Sequence, residues 1–130
     1  MLDIINERDI VINRGNVLPL TVTALNKDKS EYEFKVGDII RFKVTKAKDV
    51  KNVLLEKDFE VSEQSFEKEI FITANEMKIG EVSSKPIDYW YEIELNPDTD
   101  NTQTIVGYEK EKGPAILTLL PEGGDSVDRS

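Results

Sequence analysis

The chain has 130 residues, of which 17 are lysine or arginine and 26 are aspartate or glutamate, so its formal net charge is −9. It contains no histidine and no cysteine, which excludes a Ser-His-Asp triad, a Cys-His pair, a Cys/His zinc site and a disulfide. The negative balance argues against nucleic acid or an anionic membrane as partner, and no stretch is long and apolar enough to span a bilayer. The sequence predicts one small acidic domain.

Alternation of apolar and polar residues is the main signal along the chain. The segments that alternate, some of them weakly, are 7–13, 17–25, 39–45, 53–61, 66–73, 89–95, 102–108 and 115–120. Turn-forming residues, mostly Gly, Pro, Asn and Asp, separate these segments. Alternation of this kind predicts strands with one face in a core and the other in water.

Two segments also allow a helical interpretation. The spacing of Val50, Val53 and Leu54 fits a helix over 47–57, and 62–68 contains fair helix formers. We favour strands in both places, because Phe59 and Val61 continue the alternation. A short helical turn is predicted near 74–80, where Thr73 or Asn75 can cap its start and Gly80 its end.

The number and spacing of these segments define a fold class. About eight short strands with one short helical turn predict an all-β fold, an antiparallel two-sheet β-sandwich or a barrel. Residues 1–120 form this single domain. Residues 121–130 contain Pro, Gly, Ser and charged side chains, and we expect them to be a flexible acidic tail.

One loop has the spacing of a cation site. Asp98, Asp100 and Asn101 are spaced like the start of a calcium loop, but Gln103 stands where such a loop needs glycine. The alternative is a hairpin loop that uses Asn and Asp for its turns. We predict no metal and no other cofactor, and these three residues are the calcium candidate.

The sequence Tyr89-Trp90-Tyr91 is the main aromatic cluster. On a strand, Trp90 points away from its two neighbours, so it can stack on a sugar ring, bury against a partner subunit or be covered by the domain itself. Glu92 and Glu94 lie on the face of Trp90, which is typical of a solvated surface rather than of a catalytic carboxylate pair. We therefore predict no catalytic residues and no enzymatic activity, and Trp90 is the candidate interaction residue.

The order of motifs resembles a known family. An Arg-Gly-Asn element at 14–16 precedes the second strand, a capped turn at 73–77 precedes the Tyr-x-Tyr-Glu-Ile strand at 89–93, and Gly113 introduces the closing strand. Over most of 7–120 this order is similar to the immunoglobulin-like N-terminal domain of baseplate upper proteins from phages of Gram-positive bacteria. The chain departs from that pattern by an insert that follows Gly80.

The resemblance implies an immunoglobulin-like β-sandwich with a structural, non-catalytic role in a phage or prophage tail or baseplate. The implied partners are other tail or baseplate proteins, or further copies of this chain in the assembly. Such a protein is made in the bacterial cytoplasm and ends in the virion. The alternative function is a small carbohydrate-binding or adhesion module that uses an exposed Trp90.

Overall fold

A computed structural model describes residues 2–5, by their backbone alone, and residues 8–122. It contains nine strands and, within the described ranges, no helix. The strands are β1 (Leu2–Ile5), β2 (Asp9–Asn13), β3 (Leu18–Val22), β4 (Ile39–Lys46), β5 (Asp49–Glu60), β6 (Lys68–Ile72), β7 (Ile87–Leu95), β8 (Gln103–Val106) and β9 (Ala115–Leu120). The prediction of an all-β fold is confirmed, and β1 is the strand that the alternation did not predict.

The strands form two sheets. The larger sheet has the order β1-β2-β9-β7-β4-β5, with β8 also paired to β7, and the smaller sheet consists of β3 and β6. Neighbours are antiparallel except β2 and β9, which run parallel with Ile10 opposite Leu117. The predicted antiparallel arrangement is therefore wrong for this one pair, whose strands lie about a hundred residues apart in the chain and so need no tight turn between them.

The core lies between the two sheets. In β7, Tyr89, Tyr91 and Ile93 are buried and alternate with more exposed residues, as their periodicity predicts. Phe42 of β4 is fully buried, and Ile70 and Leu18 of the smaller sheet belong to the same apolar cluster. One continuous core therefore holds both sheets together.

The two ambiguous segments are not helical. β5 pairs with β4 along its length, with register irregularities next to Thr45, and the end of β5 that carries Val50 and Val53 is exposed. Val50 and Val53 therefore do not pack against the core, whereas Leu54 is partly buried against it. Phe66, the first residue of the predicted segment 66–73, precedes β6 and is also exposed.

The predicted helical turn near 74–80 is wrong. Thr73 and Glu76 form a reciprocal capping pair, in which the Thr73 N–H donates to Glu76 Oε1 at 2.9 Å and the Glu76 N–H donates to Thr73 Oγ1 at 3.1 Å. The chain makes only turns after this start. The Met77 carbonyl accepts the Gly15 N–H, and Arg14 Nε donates to the Ile79 carbonyl. The Met77 N–H donates to the Thr73 carbonyl at 3.0 Å, but no further helical turn follows. The carbonyls of Met77 and Ile79 are the ones that a longer helix would use, and they are occupied by the bonds from Gly15 and Arg14.

The C-terminal prediction falls mostly outside the described residues. Of the expected tail at 121–130, only Pro121 and Glu122 are described. The Pro121 carbonyl accepts a hydrogen bond from Asn13 Nδ2 at 2.8 Å, and Glu122 binds the guanidinium of Arg14. Within the described ranges there is no helix long and apolar enough to cross a membrane.

Candidate functional site

Trp90 lies in the middle of the larger sheet, on the face that points away from the core. Its cross-strand neighbours are Thr45 on β4 and Ile116 on β9, and Val53 of β5 lies opposite Thr45. Directly opposed residues share a face of a sheet. The four side chains Val53, Thr45, Trp90 and Ile116 therefore form a row of apolar and β-branched groups across four strands, which we call the Trp90 row.

A shallow hollow of about 270 Å³ adjoins the Trp90 row. Its lining residues are Lys43, Thr45, Val50, Trp90, Tyr91 and Glu92. Trp90 is partly exposed, whereas Thr45 is only 5% exposed. The predicted orientation of Trp90, opposite to the buried rings of Tyr89 and Tyr91, agrees with this burial.

Ion pairs lie on the same face beside the Trp90 row. Lys43 Nζ is 3.2 Å from Glu92 Oε1 across the β4–β7 pair. Arg41 donates to Asp58 through Nε at 2.7 Å and Nη2 at 3.1 Å. This pairing raises the pKa of Arg41 above its ordinary, already high value. The pKa of Glu94 is raised by burial and by the nearby charge of Glu92. The row is thus bordered by charges that are largely matched within the sheet.

The predicted calcium residues lie in the β7–β8 loop. Asp98 Oδ2 accepts a hydrogen bond from Arg41 Nη1 at 3.0 Å, so its carboxylate is engaged by a cation of the protein itself. Asp100 and Asn101 are exposed, and the Asn101 N–H donates to Thr99 Oγ1 at 3.1 Å. In the described part of the chain, no group of three or more acidic side chains is arranged to hold a metal ion.

Asp38 is a half-buried carboxylate that links three segments of the chain. The sequence analysis did not identify it as a candidate functional residue. Tyr32 Oη donates to its Oδ2 at 2.7 Å, the Lys35 N–H donates to the same oxygen at 2.9 Å, and Asn96 Nδ2 donates to Oδ1 at 3.2 Å. Burial raises the pKa of Asp38, but these hydrogen bonds outweigh it, so the net shift is downward. Burial and the bond to Asp38 raise the pKa of Tyr32 to about 12. The only signal in the sequence was the Val36-Gly37-Asp38 turn.

Arg8 is a second residue that the sequence did not identify. Its guanidinium is buried and donates to the carbonyls of Gly113 at 3.0 Å and Lys112 at 3.3 Å, and it lies 3.3 Å from Glu109. The hydroxyl of Tyr91 donates to the Arg8 carbonyl, and burial is the main cause of the raised pKa of Tyr91. Arg8 thus fixes the loop between β8 and β9 against the start of β2.

A groove of about 420 Å³ lies between β3 and β8. Its lining residues are Ile10, Leu20, Thr21, Val22, Thr23, Ala24, Leu25, Tyr91, Ile93, Gln103, Thr104, Ile105 and Val106. Inward-facing residues of the larger sheet form its floor, and the strands β3 and β8 form its walls. We call it the β3 groove.

None of the family models, curated proteins or solved structures compared with the chain matches it. The features that bear on function are therefore the Trp90 row, the β3 groove and the hydrogen-bond networks of Asp38 and Arg8.

Proposed function

We propose that this chain is a non-catalytic structural domain that docks on neighbouring subunits of a phage or prophage tail or baseplate. The Trp90 row is the observation that supports the docking role. The phage assembly is supported by the order of motifs from 14–16 to Gly113, which resembles the N-terminal domain of baseplate upper proteins.

We infer that the two sheets form an immunoglobulin-like β-sandwich. The run β9-β7-β4-β5 in one sheet, facing the pair β3-β6, corresponds to the strand arrangement of that fold. A second feature supports the inference. Tyr89 stands near the start of β7, and its hydroxyl accepts a hydrogen bond at 3.1 Å from the Glu81 N–H, a few residues upstream. This position and this bond to upstream backbone resemble those of a tyrosine corner.

The chemistry of the Trp90 row suits a protein interface. A tryptophan at the centre of a contact contributes much of its binding energy when neighbouring groups exclude water. Lys43 and Glu92 border the row and neutralise each other, so a partner does not have to cover an unpaired charge. The more distant Arg41 and Glu94 suit a polar rim, which sets the orientation of the partner.

The test is binding of the domain to the purified tail or baseplate proteins encoded next to it. Trp90→Ala is expected to weaken binding by about tenfold or more, as for a central tryptophan. Phe71→Ala is the matched control, because Phe71 is an aromatic that is 51% exposed on the smaller sheet. Thermal unfolding of both variants checks that the fold is kept.

Two outcomes would contradict this proposal. One is that the domain binds none of those proteins. The other is that Trp90→Ala and Phe71→Ala behave alike.

A carbohydrate-binding or adhesion module is the second candidate function. It is favoured by the hollow beside Trp90, where an aromatic face adjoins hydrogen-bonding groups of Lys43 and Glu92. At about 270 Å³ the hollow is slightly smaller than typical ligand pockets, which occupy about 300–1,000 Å³. Glycan arrays with the wild type and Trp90→Ala discriminate the two functions, since glycan binding that is lost in the variant favours the module.

A further inference from the structure

Thr45 is a polar residue that the fold buries without a partner for its hydroxyl. The residue is 5% exposed, and in the described part of the chain its Oγ1 has no hydrogen-bond partner. It lies on the outer face of the larger sheet, opposite Trp90 and Val53, and it lines the hollow beside the Trp90 row. We call this space the Trp90 hollow. A buried hydroxyl without a partner costs free energy, which is recovered when a ligand places a hydrogen-bonding group there.

The two cations of this face are more covered than the carboxylates that they bind. The side chains of Arg41 and Lys43 are 17% and 24% exposed. Their acidic partners Asp58, Asp98 and Glu92 are between 35% and 80% exposed. A molecule that approaches this face therefore meets carboxylate oxygens before it meets the ammonium or guanidinium groups.

Two further carboxylates make the face beside the Trp90 hollow negative. Glu94 lies opposite Arg41, and Glu56 lies opposite Lys43, in register across the strands. With the three acids already named they make five carboxylates against two cations, a net charge of −3. The raised pKa of Glu94, caused by burial and then by the charge of Glu92, agrees with this excess. The face is therefore complementary to a positively charged partner.

The Trp90 hollow brings together an aromatic ring and two hydrogen-bond acceptors. The ring is the indole of Trp90, which is partly exposed. One acceptor is Thr45 Oγ1. The other is Glu92 Oε2, because the contact of Lys43 Nζ is to Oε1. At about 270 Å³ the space suits one side chain rather than a larger ligand.

An arginine side chain matches these groups better than any other side chain. Its planar guanidinium stacks on an indole and donates from several N–H groups at once. A lysine ammonium supplies the charge but has no plane to stack. An apolar side chain leaves the hydroxyl of Thr45 unpaired, and an acidic one is repelled by the carboxylates of the face.

We propose that the Trp90 hollow binds an arginine side chain of another protein. The guanidinium stacks on Trp90 and donates to Thr45 Oγ1 and to Glu92, and a second basic residue of the partner pairs with Glu94 or Asp98. Glu92 and Glu94 are two residues apart on β7, about 7 Å, so an extended segment with basic residues at positions i and i+2 reaches both. The inference rests on the proposed docking role of the Trp90 row and names the chemistry of its partner.

The experiment titrates the labelled domain with acetyl-Gly-Arg-Thr-Arg-Gly-amide while NMR signals of backbone amides and of the indole N–H are recorded. We expect a Kd below about 5 mM and shifts of the Trp90 indole and of the amides of Thr45 and Glu92. A counterpart with citrulline for both arginines keeps the planar group but loses the charge, and it is expected to bind about tenfold more weakly or less. A counterpart with lysine keeps the charge but loses the plane, and it is expected to bind about threefold more weakly.

Matched threonine variants locate the site on the domain. Thr45→Val keeps the branched shape and removes the hydroxyl, and it is expected to weaken binding of the arginine peptide by about fivefold. Thr21→Val is the control, because Thr21 is an exposed threonine of the smaller sheet. Thermal unfolding checks that the fold is kept. Thr45→Val is expected to be at least as stable as the wild type, since no hydrogen bond of the described fold is lost.

Three outcomes overturn the inference: the arginine peptide does not bind, the citrulline peptide binds equally well, or Thr45→Val binds the peptide like Thr21→Val. Shifts at Trp90 that follow protein concentration without peptide identify a second copy as the source of the side chain and overturn the assignment to another protein. Failure of the peptides leaves the Trp90→Ala result with tail proteins unaffected. Peptide binding without binding of tail proteins contradicts the proposed assembly alone, so the two proposals fail separately.

Discussion

Gly37 and Gly80 both adopt positive φ, at +98° and +68°, but their surroundings differ. A Cβ at Gly37 would meet no atom within 4 Å, whereas a Cβ at Gly80 would lie 2.0 Å from the hydroxyl of Tyr89. Gly80 is therefore required both for its backbone conformation and for the close approach of a buried ring.

Replacement of each glycine by alanine separates these two requirements. Gly37→Ala is expected to cost about 1–2 kcal/mol of unfolding free energy through backbone strain alone. Gly80→Ala is expected to cost about 1–3 kcal/mol more, because Tyr89 must move and its bond to the Glu81 N–H is lost. Urea denaturation of both variants measures the difference, and equal costs would show that Tyr89 adjusts freely.

The hydrogen-bonded carboxylate of Asp38 predicts a pH dependence. Its pKa is lower in the folded state, so its contribution to stability is present above the unfolded pKa of about 3.9 and is lost as the pH falls through the folded value. We expect Asp38→Asn to cost about 1–2 kcal/mol at pH 7, after allowance for partial exposure, and to approach the wild type in stability below about pH 4.

The control for Asp38 is Asp100→Asn, which changes an exposed carboxylate of the β7–β8 loop. Its unfolding curves should follow those of the wild type at each pH. A stability difference for Asp38→Asn that stays constant from pH 7 to pH 3 would argue against the hydrogen-bonded carboxylate as its cause.

At the scale of elements, the β4–β7 pair forms the centre of the core. Phe42 is fully buried, and its ring centroid lies 5.6 Å from that of Tyr91 on the neighbouring strand. Phe42→Ala is expected to cost about 3–5 kcal/mol, through lost burial and the cavity left behind. The exposed Phe71 serves as control, since Phe71→Ala should cost less than about 1 kcal/mol.

Equilibrium denaturation checks this prediction. A cost below about 1 kcal/mol for Phe42→Ala would mean that the ring is not buried in solution.

How much the sequence predicted depends on whether an element faces the core. The strands β4 and β7 were predictable because alternate residues such as Phe42 and Tyr91 are buried there on one side. In β5 the end with Val50 extends beyond the core, and alternation is lost. The helical turn near 74–80 was predicted from the capping residues at its start. The chain does not continue as a helix there, because donors of Arg14 and Gly15 occupy carbonyls that a longer helix would use.

The candidate site was predictable only in part, because most of its neighbours come from distant parts of the chain. The orientation of Trp90 follows from local alternation. Its neighbours Thr45 and Ile116 follow from register between strands that are far apart in sequence, which no local pattern contains. The β3 groove depends on which strands do not pair, and the Asp38 and Arg8 networks depend on loops brought together by the whole fold.

For the whole molecule, the Trp90 row and the β3 groove lie in different places. The Trp90 row is on the outer face of the larger sheet, whereas the β3 groove opens between the sheets beside the smaller one. Under the proposed function, the net charge of −9 contributes to the choice of partner.

The parallel pair β2–β9 has a mechanical consequence. Its four registered positions run from Ile10 opposite Leu117 to Asn13 opposite Leu120. Tension applied between Asp9 and Leu120 pulls the two strands lengthwise in opposite directions, so their hydrogen bonds are loaded together in shear. We expect a higher rupture force in this geometry than for tension between Ile39 and Glu60, which opens the β4–β5 ladder one pair at a time. Single-molecule pulling through those two pairs of attachment points measures the difference, and equal forces would contradict it.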